Sequence, residues 1–161
     1  MAMPPPAFTF GSLYIAGITQ AVAPHVALVI PINEQVGDLI HIRIDRAVSP
    51  TWTFQHRRQR ISGEMLLSTM MKIHDISAGP ISVAQLRNAA AAVPVPNNDT
   101  FGECGPWVFN VVKELHKQGI LTVVDEKELK KEFEYFSSPE ISKKYAKRTV
   151  FPNVVVSRYC A

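Results

Sequence analysis

Cysteine is scarce in this 161-residue chain. Cys104 and Cys160 are its two thiols, too few for a disulfide framework and suited to a reducing, cytoplasmic setting. Charge is missing from the beginning: the first charged residue is Glu34, so the basic segment of a secretory signal is lacking. An unbroken membrane-length apolar run is lacking too. The stretch from Leu13 to Ile32 has the length, but Gln20, Pro24, His25 and Pro31 interrupt it, and its Val- and Ile-rich pieces read as two buried strands, not an integral membrane segment. Neither Cys-x-x-Cys nor His-Glu-x-x-His occurs, so no metal or other cofactor is implied. Internal repeats are absent, and so are low-complexity runs beyond Pro4, Pro5 and Pro6.

What is present is the composition of an ordinary globular protein, 47% hydrophobic and 19% charged. The length suits one domain over residues 1–161 with a full core. Residues 1–11 read as a flexible lead, 12–119 as the core and 125–161 as a C-terminal helical part. The net charge is +3 and the isoelectric point near 9.0. The cations do not gather, however. Arg57, Arg58 and Arg60 form a short patch, and the basic residues from Lys127 to Arg148 alternate with acidic ones. That is the pattern of solvated helix faces, not of a nucleic-acid partner.

The periodicity divides the chain into strands first and helices afterwards. Residues 12–19 and 25–32 are β-branched runs bounded by Pro and Gly, and Asn33 to Gly37 make a turn. Residues 38–45 alternate, with Ile40, Ile42 and Ile44 on one face and His41, Arg43 and Asp45 on the other. Residues 51–61 and 65–75 read as two further strands joined at Ser62-Gly63, and five consecutive strands predict an antiparallel meander. Ser82 caps a helix that ends before Pro94. A second helix starts near Pro106 and stops at Gly119, with Val108, Val111, Val112 and Leu115 at helical spacing. Helices over about 125–136 and 138–147 and a last strand at 153–159 complete an α+β pattern, its helices on one side of a mostly antiparallel sheet.

The chemistry-bearing residues lie at the junctions of these elements. Cys104 precedes a helix whose free N–H groups and positive dipole end favour thiolate over thiol. A nucleophile also needs a base. His116 is excluded, since it sits about 18 Å along the same helix by helical rise. His25 opens one strand and His41 lies on the polar face of the next, so a short turn can bring their imidazoles together, and a helix packed there offers Cys104 to both. His56 and His74 carry no comparable signal.

The segments Pro24-His25-Val26-Ala27-Leu28-Val29, Asp38-Leu39-Ile40-His41-Ile42 and Glu103-Cys104-Gly105-Pro106-Trp107-Val108-Phe109 give the order His, His, then helix-borne Cys. This order resembles the permuted papain-like superfamily, which includes the lecithin:retinol acyltransferase-like enzymes. The third segment also looks like the Cys-x-x-Trp-Val helix start of a family of small fungal proteins. The resemblance covers residues from about 24 to 119. It implies a permuted papain-like fold and cleavage or transfer of an amide, ester or thioester, with a small-molecule or peptide acyl substrate. It also implies the roles: Cys104 as nucleophile, His25 as base and His41 as the orienting group. The chain departs from that pattern at Glu103, where the acyltransferase-like enzymes often carry Asn, and at Gly105-Pro106. A carboxylate beside the sulfur works against the thiolate.

Three other readings stand beside this one. The same fold can serve as a non-catalytic binding module, with Trp52, Phe54 and Trp107 lining a pocket. Zinc accepts a set such as His25, His41, Cys104 and Glu103, without the usual paired spacing. The lysines of the C-terminal helices can meet an acidic partner or an anionic membrane, although Glu126, Glu128, Glu132, Glu134 and Glu140 dilute their field. Arg58 and Arg60, at alternate positions, share one strand face suited to a carboxylate or phosphate, and Cys160 reads as a frayed, non-catalytic thiol.

Overall fold

The computed structural model describes residues 8–18, 25–61, 67–142 and 153–160. The β-branched runs of the first half become five strands: β1 (Leu13–Ile18), β2 (His25–Pro31), β3 (Val36–Arg43), β4 (Thr53–Arg60) and β5 (Leu67–His74). Helices α1 (Val83–Ala91), α2 (Cys104–Lys117), α3 (Glu126–Phe136) and the short α4 (Pro139–Ser142) follow, and then β6 (Asn153–Val156). Ser62-Gly63 lies outside the described residues, as does the expected helix beyond 142 with Lys143, Lys144, Lys147 and Arg148. Of the opening stretch, Phe8 is buried against the core and the Thr9 N–H donates to the Tyr14 hydroxyl.

The six strands lie in one sheet in the order β4-β3-β2-β1-β5-β6, antiparallel except for the parallel β5–β6 pair. The expected five-strand meander therefore holds only for β1 to β4. After β4 the chain crosses the sheet, and β5 pairs with β1 instead. Burial gives the reason. β4, Thr-Phe-Gln-His-Arg-Arg-Gln-Arg, has no fully buried residue, whereas seven of the eight residues of β5 are buried. A polar strand belongs on a sheet edge, where charged side chains also discourage further pairing. An apolar strand must be covered on both sides, and the places beside β1 and β6 provide this.

Alternation along the strands sorts the core into two clusters. Leu13, Ile15, Val26, Leu28, Ile40 and Ile42 face α1, α2 and α3. Tyr14, Ala16, Ala27, Val29, Leu39 and Met70 form the second cluster on the other face, with Phe8 and Ile61. The architecture is α+β, with the helices packed on one face of a mostly antiparallel sheet.

Local chemistry sets the helix ends. At α1 the Ser82 hydroxyl accepts from the Gln85 N–H while the Gln85 carboxamide oxygen accepts from the Ser82 N–H, a reciprocal cap. α2 starts at Cys104, two residues before the expected Pro106, and buries Cys104, Trp107, Val108, Val111, Val112 and Leu115 along one stripe. It stops at Gly119, whose φ of +75° suits glycine. There the N–H of Gly119 reaches the His116 carbonyl and that of Ile120 the Leu115 carbonyl. α3 is not solvated all round as its charges suggest. Glu132 is buried, accepting from the Ser157 hydroxyl at 2.6 Å and the Arg158 N–H at 3.0 Å. This clasp holds the C-terminal residues, and Cys160 beside it is half-buried and bridged to Val123, not frayed.

Candidate active site

His25, His41 and Cys104 line one cleft of about 970 Å³. His41 sits directly opposite Gln55 in the β3–β4 register, and cross-strand partners of this kind have side chains within reach. Its Nε2 lies 2.8 Å from the Gln55 Oε1, and its Nδ1 lies 2.6 Å from the His25 Nε2. The two rings meet edge to face, centroids 4.8 Å apart. The sequence brings out both histidines but not Gln55, because β4 has no apolar alternation to reveal which residue opposes His41.

This chain of bonds sets the tautomers. The Gln55 carboxamide oxygen only accepts, so the His41 Nε2 carries the proton and its Nδ1 accepts. The His25 Nε2–H is then the donor to His41, and the His25 Nδ1 is left with a lone pair. Both rings are neutral at physiological pH. Burial, followed by the positive charges of Arg57 and Arg43, lowers the pKa of His25 to about 4. Burial also lowers that of His41 to about 3, against the raising effect of the Gln55 bond and with His25, Arg57 and Arg43 lowering it further.

Cys104 reaches the cleft from α2. Val26 lies beneath this helix start, its Cγ2 3.7 Å from where a Gly105 side chain would begin. His25 and His41 share the parity of Ala27 and Leu39, so they leave the sheet on the other face. The first turn of α2 lies at the sheet margin where β2 begins and β3 ends, and there the thiol and the imidazoles share one cleft. The sulfur is buried, and this desolvation raises its pKa. The N–H groups of Val26, Gly105 and Cys104 pull the other way without prevailing. The resting group is a thiol, so the expected thiolate does not form at rest, and the opposing cause is burial rather than the Glu103 carboxylate. Glu103 caps the helix through its backbone and makes no side-chain cap.

The remaining candidates separate. Trp52 lines the cleft with its indole N–H bonded to the Thr100 carbonyl, but Trp107 is buried core and Phe54 packs on it at 6.2 Å. The Arg58 Nε pairs with Asp38, 3.3 Å away, on the face opposite the histidines. Arg57, one residue earlier, lines the cleft instead of Arg58 or Arg60. His56 bonds Asp38, His74 the Gly79 carbonyl and His116 the Val123 N–H. Among the described residues no three His, Cys, Asp or Glu side chains are placed to hold a metal ion, and no helix is long and apolar enough to cross a membrane.

Comparison with curated proteins and with solved structures gives no match. Residues 13–122, which span β1 to α2 and hold every member of the cleft's Gln–His–His–Cys set, match one family model. The chain belongs to that family, described as a family of unknown function (DUF6540).

Proposed function

We propose that the chain is a cysteine-dependent hydrolase or acyltransferase of permuted papain-like type, acting on an amide, ester or thioester. The observation that carries this reading is the hydrogen-bonded relay Gln55–His41–His25, which shares one cleft with Cys104. Cys104 is the nucleophile and His25 the base, while Gln55 and His41 are positioning residues. His25 takes the thiol proton as the sulfur attacks the carbonyl. A thioester to Cys104 forms, and the departing amine, alcohol or thiol leaves with the proton that His25 held. Water or a second nucleophile, deprotonated by His25, then releases the acyl group and restores the thiol. The Cys104 N–H at the helix start is the first donor to the oxyanion.

Because thiol and imidazoles are neutral at rest, the proton moves during attack, not in a pre-formed ion pair. His25 stays unprotonated down to about pH 4, so it remains able to act as a base well below the usual histidine range.

Acylation by an aryl thioester tests this reading. The expected result is acyl mass on the Cys104 peptide, with release of thiol slowed about 10²–10⁴-fold in His25→Ala while circular dichroism shows the fold retained. Equal rates in the two proteins, or acyl mass on Cys160 alone, would overturn it. The raised pKa of Cys104 supports a second reading, a non-catalytic binding module on the same scaffold. In that case Cys104 reacts no faster than a model thiol, and Cys104→Ala keeps the cleft's ligand affinity.

A further inference from the structure

The histidine pair lies between two guanidinium groups. Along β3, Arg43 follows His41 by two residues and points to the same face. Along β4, Arg57 follows Gln55 by two residues, opposite Leu39 in the register. Because the strands are antiparallel, these two steps run in opposite directions. Arg43 and Arg57 therefore stand about 7 Å to either side of the His41–Gln55 pair by strand rise. Both line the cleft with Cys104. Arg43 has an outlying partner in Asp45 at 4.0 Å. Two further cations, Arg46 and Lys130, line the cleft together with Asp99 and Glu134, Arg46 lying 3.9 Å from Asp99. The β3–β4 register sets Arg43 and Arg57, not these two, beside the His41–Gln55 pair. Phe101, Phe109, Phe133 and Pro106 give the same cleft an apolar lining.

We infer that the cleft selects acyl substrates bearing a carboxylate a few bonds from the scissile carbonyl, held by Arg57 and Arg43 while the rest of the acyl chain lies on the phenylalanine lining. This inference rests on the catalytic reading and names its substrate class. A guanidinium matches a carboxylate with two parallel N–H bonds, and charge-assisted bonds are the stronger kind in a partly dry cleft. The anion also counters the two positive charges that add to burial in lowering the pKa of the imidazoles. Binding of the correct substrate therefore makes His25 a better base at the moment Cys104 needs one.

The test compares succinyl and butyryl aryl thioesters, which share a chain length and differ by the terminal carboxylate. In each, Cys104 displaces the aryl thiolate and water then releases succinate or butyrate. The expected kcat/KM favours the succinyl compound by about 10- to 100-fold, and this preference shrinks in high salt. Arg57→Gln should abolish it, bringing the ratio of the two kcat/KM values to about one, Arg43→Gln should reduce it, and Arg57→Lys should restore part of it. A parallel arm measures binding of succinamate and butyramide to Cys104→Ala by calorimetry, which needs no turnover. If both thioesters react equally and the arginine variants change nothing, the anion site falls and the catalytic reading stands. If neither thioester reacts but succinamate binds in an Arg57-dependent way, the catalytic reading falls and the anion site stands.

Discussion

Neutral histidines at the heart of the cleft have a thermodynamic consequence. His25 and His41 titrate near 4 and 3 in the folded chain and near 6.5 when unfolded. Above pH 6.5 neither state binds the proton and the pair is neutral in its effect. Below it the unfolded chain protonates first, so stability is lost as pH falls from 6.5 towards 4 and then 3. The slope is at most about 1.4 kcal/mol per pH unit for each ring. Denaturant titrations between pH 7 and 4 should show this loss, and His25→Ala should flatten it. An equal slope in the variant would place the protons elsewhere. At this scale the sequence identifies Cys104, His25 and His41, because a helix start and alternating strands can be read locally. Gln55, Arg43 and Arg57 become members of the site only through the β3–β4 register, which no local pattern carries. The state of the thiol was also beyond local reading. A helix start argues for thiolate, and only the packing above Val26 shows how much burial opposes it.

Among the elements, α3 shows how a charged sequence can conceal a buried contact. Its Leu129 and Phe133 pack into the core as an amphipathic helix requires, but Glu132 turns inward to meet the C-terminal residues. Glu132→Ala should destabilise the protein by about 1–3 kcal/mol, since it strands the Ser157 hydroxyl and the Arg158 N–H. Faster amide exchange at residues 153–160 should accompany the loss. An unchanged melting temperature with unchanged exchange would show that the clasp carries no weight. The clasp also bears on thiol chemistry. Burial, opposed by the Ser157 bond and aided by Glu132, raises the Cys160 pKa to about 11, so Cys160 is a poorly reactive thiol. Helices α1 and α2 were legible from Ser82, Pro106 and Gly119, whose effects act within one turn, although α2 starts two residues before Pro106. The partner of Glu132, 25 residues away in the chain, was not.

For the molecule as a whole, one sheet serves two apolar clusters, so their stabilities are coupled. Leu28 and Leu39 are fully buried on opposite faces. Replacing either by alanine should cost about 2–5 kcal/mol and lower one shared unfolding transition in calorimetry. Two separately shifting transitions would mean that the faces unfold independently and that residues 1–161 are not one cooperative unit.

The sequence by itself determined the elements, the α+β class and the order His, His, Cys, because periodicity, caps and breakers act over a few residues. The meander it implied set the fifth strand beside the fourth. Tertiary structure alone decided that β5 crosses to pair with β1, that Gln55 completes the histidine relay, and that Arg57 instead of Arg58 faces the cleft. It also decided that the Cys104 thiol is protonated at rest. Pairing depends on which surfaces must be covered together, and protonation depends on how much water is excluded. Both are set by residues distant in the chain and brought together only when the sheet closes against its helices.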